Sequence, residues 1–330
     1  MIQLISSLLE RAMTARRDIF KAPYDSAFRL FNGFTEGYPG LSIEIYGRTA
    51  VFHNYEKNPA DEAAVNQALA LVIAWLPWLQ TALVKTRKSS SESERNGRVI
   101  FGQTPDTQIV EEGTRYAISL MLNRDSSLYL DTRELRRWLT ANMRGLSVLN
   151  TFAYTCSLGV ASMAGGANRV LNTDLSSRFF VVGRASYSAN HYAIRKIDFI
   201  ANDFWPYVSQ LNRAHNRFDC VILDPPFFSV TNHGRVDTEQ KFLRLINKVR
   251  PLVRDHGQLV VINNAVFVSG QAFMTELNML CADGYMSITQ LIDVPEDCTG
   301  YPGTLVGSPV TSPAPFNHAT KIAILTISRK

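Results

Sequence analysis

The sequence predicts an α/β protein, with a doubly wound, mostly parallel sheet in residues 121–330 behind a small α+β domain in residues 1–120. Three observations carry this. The stretch "FDCVILDPPFFSV" (218–230) runs mostly apolar residues into an aspartate and two prolines. That is the pattern of a strand buried on both faces that stops at a sheet edge. From residue 121 onward, strand-like apolar runs alternate with runs of helical period, which is how parallel sheets with crossover helices are built. Before residue 120 the strands instead follow one another through tight turns, with only one or two helices among them.

Taken in order, "MIQLISSLLERAMTARRDIFKA" has apolar residues at helical spacing, and Glu10 and Arg11 interrupt it too early for a signal or membrane segment. It reads as a helix packed by one face. "LSIEIYGRTAVFH" (41–53) alternates and breaks at Tyr46-Gly47-Arg48, a hairpin. "PADEAAVNQALALVIAWL" is a helix with acidic residues in its first turn. "TALVKTR" is a strand, "KSSSESERNG" (88–97) a polar loop, and "VIFGQ" and "TQIVEEGTRYAISLML" further strands turning at Glu112-Gly113. "LDTRELRRWLTANM" predicts a helix capped by Asp131. Four strand-helix units follow, with strands at "LSVLNTF", "RVLNTDLS", "KIDFIANDF" and "FDCVILDPPFF". Beyond Pro226 come a polar loop "SVTNHGRVD", a helix from about 238 to 253, the strand "QLVVINN", a further helix, and the strands "YMSITQLIDV" and "TKIAILTIS". If the first of that last pair is parallel to the rest and the second returns antiparallel, the long connection 294–318 lies at the carboxyl edge. No helical pattern is visible in it, and loops of that length are commonly functional.

With 330 residues the chain is long enough for two domains. A hydrophobic content of 46% with 19% charged residues excludes wholesale disorder. Net charge is +5, which suits a polyanionic partner without requiring one. The four cysteines (Cys156, Cys220, Cys281, Cys298) form no CxxC pair, so neither a zinc site nor a disulfide scaffold is expected and a reducing, cytoplasmic setting fits.

The chemistry concentrates where strands end. Asp174 follows the first βα turn by about 25 residues, the place of the acidic residue that holds a ribose in nucleotide-binding α/β folds; a helix N-cap is the compatible alternative. The turn "NTFAYTCSLG" lacks GxGxxG, so the ligand is expected to carry no pyrophosphate. Asp174, "AND" at 201–203 and Asp224-Pro225-Pro226-Phe227 together point to S-adenosylmethionine (SAM).

Four motifs resemble the class I SAM-dependent RNA methyltransferases, in particular the bacterial large-subunit rRNA methyltransferase group of types I and K. They are "RLFNGFTEGYPGLSIEIYG" (29–47), "SLYLDTRELRRWL", "VLNTFAYT" and "VILDPPFF". The resemblance covers most of the chain and implies a seven-stranded Rossmann-like sheet. It implies cofactor binding by Asn150, Phe152, Tyr154, Thr155, Asp174, Leu175, Asp203, Phe204 and Asp224. Asp203 would meet the adenine amine, or else be a solvated turn residue. The chain departs from the group in three places. The stretch before Arg29 is expected to leave no room for the group's PUA domain; Cys156, Ser157 and Leu158 stand where Gly-Gly-Phe is usual; and Asn263 and Asn264 stand where the cytosine-C5 enzymes carry a cysteine.

C5 methylation needs a thiolate adding to the ring. Asp-Pro-Pro-Phe instead has the form of the motif of enzymes that methylate planar nitrogen. Asp224 and the Pro225 carbonyl would accept the two N–H bonds of an amine, Pro226 would hold the turn, and Phe227 would stack on a flipped base. Phe228, Asn263, Asn264 and Arg133 are expected to meet substrate, the asparagines being equally readable as an ordinary turn. Arg136 and Arg137 with Arg133 form either an RNA phosphate site or a solvated helix face. The expected pocket lies between Phe227, loop 229–237 and loop 294–318, and no metal is expected. The expected reaction is SAM-dependent methyl transfer to a base nitrogen of structured RNA such as rRNA, by a monomer or homodimer away from membranes. Alternatives are cytosine C5 with Cys298 swung in, a glutamine amide of a protein, and a non-catalytic RNA-binding protein.

Overall fold

The computed structural model describes residues 2–58, 60–239 and 241–329, with the side chains of residues 2–4 left out. Its contacts divide the chain into two compact units, residues 1–131 with 295–309, and residues 132–294 with 310–330.

In the first unit, helix α1 (Ile2–Ala15) precedes strand β1 (Ala27–Asn32), the short α2 (Gly33–Glu36), β2 (Leu41–Tyr46), β3 (Thr49–Asn54), α3 (Ala63–Trp75), β4 (Thr81–Thr86), α4 (Glu92–Asn96) and β5 (Arg98–Phe101). The strands form one sheet in that order, with β3 and β4 parallel across the α3 crossover. Ile5, Leu8, Leu9, Ala12 and Met13 of α1 are buried in the core with Val65, Ala68 and Val72 of α3, as a one-faced apolar period requires. The hairpin β6 (Gln108–Glu111) and β7 (Thr114–Ala117) turns at Glu112-Gly113, both at positive φ. Two details differ from the sequence reading. Residues 92–96 of the expected polar loop form α4, and 295–309 of the expected crevice loop pack into this unit, carrying α11 (Glu296–Thr299).

The packing of that segment rests on buried polar groups. Arg16 is wholly buried and donates to both Glu36 carboxylate oxygens (2.9 and 3.1 Å), to Arg29 O (2.7 Å) and to Asp297 O (2.8 Å). Asp297 Oδ2 accepts from Arg29 N at 2.8 Å, and Asn32 Nδ2 donates to Cys298 O at 2.7 Å. Nearby, Glu44 accepts from Arg29 Nη2 (2.7 Å) and Tyr46 OH (3.0 Å) and lies 3.0 Å from His53 Nε2. Arg29 and His53 hold the Glu44 carboxyl far below its ordinary range against the opposing effect of burial.

The second unit holds α5 (Arg133–Asn142), β8 (Ser147–Thr151), α6 (Ser157–Ala164), β9 (Arg169–Asp174), α7 (Phe180–Ala189), β10 (Phe199–Ala201), α8 (Phe204–Arg213) and β11 (Phe218–Leu223). A hairpin of β12 (Phe228–Thr231) and β13 (Gly234–Asp237) follows, then α9 (Phe242–Val249), β14 (Val253–Asn263), α10 (Gly270–Cys281), β15 (Met286–Ile292) and β16 (Lys321–Ile327). Seven strands form one sheet in the order β10-β9-β8-β11-β14-β16-β15. β16 runs antiparallel to both its neighbours and β15 is parallel to the rest, as the sequence reading had it. The chain winds outward in opposite directions from β8 and β11, so the switch point lies between them, and ligands bind at the carboxyl ends there. Register places Thr151 beside both Thr173 and Leu223, and Leu223 beside Val261.

Two further readings change. α5 starts at Arg133 with Thr132 as N-cap, and Asp131 sits in a preceding 3-10 turn, so Asp131 is not the cap. Residues 310–318 pack on the start of α10: Gly270 N donates to Ser312 O at 3.0 Å, and Phe316 meets Phe273 with ring centroids 5.8 Å apart.

Candidate active site

The turn after β8 is tightly specified. Phe152, Tyr154 and Cys156 all take left-handed backbone conformations, with φ of 54°, 48° and 65°. Each costs about 1–3 kcal/mol in a non-glycine residue and persists only where its surroundings enforce it. Here Ala153 N donates to Thr173 O (2.9 Å), Cys156 N to Ala153 O (2.6 Å) and Tyr154 N to Asp174 Oδ2 (2.9 Å). Phe152 stacks on Phe204 at 4.7 Å, and Tyr154 meets Phe179 edge-on at 4.6 Å. Thr155 and Cys156 are buried, and a Cβ on Gly183 of α7 would come within 2.7 Å of the Cys156 sulfur. Cys156 thus supplies the left-handed backbone that glycine would otherwise provide.

Asp174 ends β9 and holds this turn from the other side. Its second oxygen accepts from Ser176 N at 3.0 Å. Burial pushes its pKa up, while backbone donors at Ser176, Tyr154 and Leu175 oppose that. A carboxylate has about four lone-pair sites. Fixed by backbone donors on both oxygens, it keeps the capacity to accept both hydroxyls of a ribose. Leu175, 60% exposed, lies beside it as an apolar surface for a planar base. The site therefore fits the nucleoside half of SAM.

Other expected cofactor residues are committed within the protein. Asn150 is buried and donates to Asn172 Oδ1 at 2.9 Å, while Asn172 Nδ2 donates to Tyr187 OH at 3.1 Å. This chain of amides fastens β8 to β9 and α7, so Asn150 braces the strand ends. Phe204 is core, under the turn. Asp203 caps α8, accepting from Trp205 N at 2.9 Å, so the solvated-turn alternative is replaced by a helix cap.

At the end of β11, Asp224 is half-buried, Pro225 buried and Pro226 exposed, and Phe227 and Phe228 are 45% and 51% exposed. The phenylalanines are not tucked into the core. Phe227 O accepts from Thr238 N and Oγ1, each at 3.2 Å, closing the base of the hairpin. Asn263 is fully buried; its amide donates to Thr238 O (3.0 Å) and its Oδ1 accepts from Ala265 N (2.9 Å). It ties β14 to the base of the hairpin. Asn264 differs: its Oδ1 is buried with no hydrogen-bond partner. Arg133 is half-buried at the start of α5. Arg136 is buried, donating to Thr132 Oγ1 (2.8 Å), and Arg137 pairs with Glu134 (2.7 Å), so the three arginines do not form one open basic face.

Two features at this edge escaped the sequence reading. The "polar loop" 229–237 is the β12–β13 hairpin. Its signal, the turn residues Asn232-His233-Gly234, was there, but the apolar residues of β12 point outward and so lacked a core-facing alternation. Lys321 is wholly buried where β16 begins beside Asn263, donating to Ala265 O at 3.0 Å and Ala319 O at 2.5 Å. Burial pushes its pKa down to about 8.

Cys298 is wholly buried and packs with the first unit. Cys220 is buried in β11 with its pKa pushed up to about 12, burial also raises Cys156, and Cys281 ends α10. Among the described residues no helix is long and apolar enough to cross a membrane, and no cluster of His, Cys, Asp and Glu is arranged to hold a metal.

Known proteins agree with this architecture. The chain is 28% identical to ribosomal RNA large subunit methyltransferase I of Aeromonas salmonicida over 224 residues, 67% of this chain and 56% of that protein. It is 26% identical over 248 residues to ribosomal RNA large subunit methyltransferase K/L of Pseudoalteromonas translucida, 72% of this chain and 34% of that one. The chain thus spans between about a third and two thirds of the length of the curated relatives it matches. A solved structure of a protein assigned as a SAM-dependent methyltransferase from Streptococcus mutans superposes with a TM-score of 0.82 at 21% identity, covering 99% of this chain and 81% of that one. The fold, the ribose-competent Asp174 and the turn it fixes meet a match to the S-adenosylmethionine-dependent methyltransferase family across residues 55–303, more than half of the chain, and to that family the chain belongs, with S-adenosylmethionine as its cofactor.

Proposed function

We propose that this protein methylates a base nitrogen of structured RNA, with ribosomal RNA the substrate class favoured by its relatives, and that it does so in the cytoplasm. One observation carries the choice of nitrogen. The sheet edge presents Asp224-Pro225-Pro226-Phe227 with both phenylalanines exposed, while every cysteine that could form a C5 adduct is buried or lies on α10. A pyrimidine C5 without a thiolate is a poor nucleophile; an exocyclic amine needs only its N–H groups accepted and its lone pair turned toward the methyl donor.

In this reading Asp174 and Leu175 hold the nucleoside half of the cofactor, and the turn 152–156 shapes the place of its other half. Bound SAM supplies a methyl group on a sulfonium, so transfer needs no further activation of the donor. Asp224 and the Pro225 carbonyl accept the amine's two hydrogens, Phe227 stacks on the flipped base, and the proton released on methylation leaves toward Asp224 and water. The buried Pro225 and the exposed Pro226 bring no N–H to compete for those acceptors. Positioning then provides most of the rate. Residues 1–131 with 295–309 form the small domain in this scheme, a candidate for RNA recognition, and 132–294 with 310–330 the transfer domain.

The test is to incubate the protein with methyl-labelled SAM and total RNA from an unmodified host, digest to nucleosides, and identify the labelled product by mass spectrometry. An N-methyl nucleoside is the expected product. Label in 5-methylcytidine, or label only in protein, would overturn the proposal.

A further inference from the structure

In the β12–β13 hairpin, strand β12 wears its apolar residues on the outside. Along β12, Phe228 and Val230 are 51% and 63% exposed while Ser229 and Thr231 are turned inward. On β13, Arg235 is exposed directly opposite Val230, and Val236 is buried opposite Ser229. Side chains alternate between faces along a strand, so Phe228, Val230 and Arg235 share one solvent face. The inner face is already anchored: Val236 belongs to the core with Trp205, and a Cβ on Gly234 would come within 2.5 Å of Trp205 Nε1. Folding alone would favour polar residues on the outer face, the reverse of what is there.

The outer face is also organised. The Arg235 guanidinium lies 4.9 Å from the centroid of the Phe228 ring, and Asp237, 6% exposed, pairs with the same guanidinium and fixes its position. A planar cation stacked on an exposed ring is a surface that takes an unstacked nucleobase and a phosphate together. It begins one residue after Phe227, so whatever occupies it is continuous with the target in the crevice.

We propose that this hairpin is the docking surface for an unpaired nucleotide flanking the target base in RNA, with its base stacked on Phe228 and Arg235 and its sugar edge against Val230. The inference rests on the RNA reading above and names what that reading leaves open: the target lies in a loop, bulge or strand end, because bases inside an A-form helix offer no free face. The guanidinium plane of Arg235 beside the exposed Phe228 ring favours this occupant, on a chain whose net charge is +5. A second copy of the chain is a poor match, since a four-residue strand pair is far smaller than the roughly 800 Å² per partner of a stable interface.

The experiment compares the full-length protein with Arg235→Lys, Val230→Ser, Phe228→Leu and Phe228→Trp. The readouts are methylation of total RNA by labelled SAM, resolved into KM for RNA and kcat, and SAH affinity by calorimetry as the check on the fold. Arg235→Lys keeps the charge and the pairing with Asp237 but loses the plane, so KM rises about 5- to 100-fold with the larger effect on KM. Val230→Ser and Phe228→Leu shift KM in the same direction, and Phe228→Trp, which keeps a stacking surface, stays near the wild type. SAH affinity stays within about twofold in all four. Wild-type KM for Arg235→Lys and Phe228→Leu in a protein that does methylate RNA would overturn the hairpin inference alone. A wild-type protein that labels no RNA would overturn the reading beneath it. Dimerisation lost in Val230→Ser would make the patch a self-interface and overturn the inference.

Discussion

Asp174 and Asp224 stand at the ends of the two strands that flank β8, and the proposed function gives them different work. Asp174 is held on both oxygens by backbone N–H groups, at a fixed place with lone pairs to spare. Asp174→Ala is expected to weaken SAH binding by about 10²-fold or more, since hydrogen bonds to a charged group are each worth about 1.5–3 kcal/mol; calorimetry reads this directly. Asp224 is assigned to the reacting amine, so Asp224→Ala should lower kcat about 10²–10³-fold, as loss of one preorganised partner does, while SAH affinity changes far less. Equal losses in both would make Asp224 a cofactor residue. Lys321 carries a pH signature. Its folded pKa, about 8, lies below the ordinary lysine value, so between about pH 8 and 10 the unfolded chain binds more protons than the folded one and stability rises with pH. A Lys321→Met variant should lose that rise in denaturant midpoints measured at pH 7.5 and 9.5. The sequence showed which residue types gather at the edge but not which way they turn. Asn263 and Asn264 are chemically identical neighbours, and only the position of Thr238 and Ala265 makes one a brace and leaves the other's oxygen without a partner.

At the scale of elements, the seven-stranded sheet was legible because buried parallel strands read as continuous apolar runs, and "VILDPP" and "VLNTF" stop where their strands stop. The hairpin was not legible, because Phe228 and Val230 of β12 face outward, against the rule that apolar residues face the core. The α6 helix shows how closely the sheet and its covering helices fit. A Cβ on Gly159 would lie 2.2 Å from Asn172 Oδ1 and 3.3 Å from Asn150 Nδ2. Gly159→Ala should therefore push α6 away or break the Asn150–Asn172–Tyr187 chain, costing about 1–3 kcal/mol in chemical denaturation. Because that chain braces the strand ends beneath the cofactor turn, SAH affinity should fall along with stability. A stable variant with unchanged SAH affinity would show that the amide chain does not position the turn.

On the scale of the whole chain, the sequence reading placed the small unit in one continuous stretch because periodicity and turn signals are local. What escapes them is a segment that leaves its own unit. Residues 295–309 follow β15 of the sheet yet belong with residues 1–131, and they do so through partners that cannot be read locally: Asp297 for Arg16 and Arg29, Cys298 O for the Asn32 amide, and Thr304 beside Glu36. These groups are buried, and a buried donor or acceptor left without its partner costs about 1–3 kcal/mol. Several such losses together approach the 5–15 kcal/mol that holds a typical domain folded. A fragment ending at Asp131 should accordingly lack a cooperative thermal transition, or melt far below the same fragment carrying residues 295–309 on a flexible Gly/Ser linker. In the full-length protein, Asp297→Ala should cost about 1–3 kcal/mol while leaving SAH affinity nearly unchanged, because it removes the bond to Arg29 N in the first unit while Asp174 lies in the second. Equal melting of the two fragments would mean that the apolar core of α1, α3 and the five-stranded sheet suffices, and that the returning segment rides on a unit already complete.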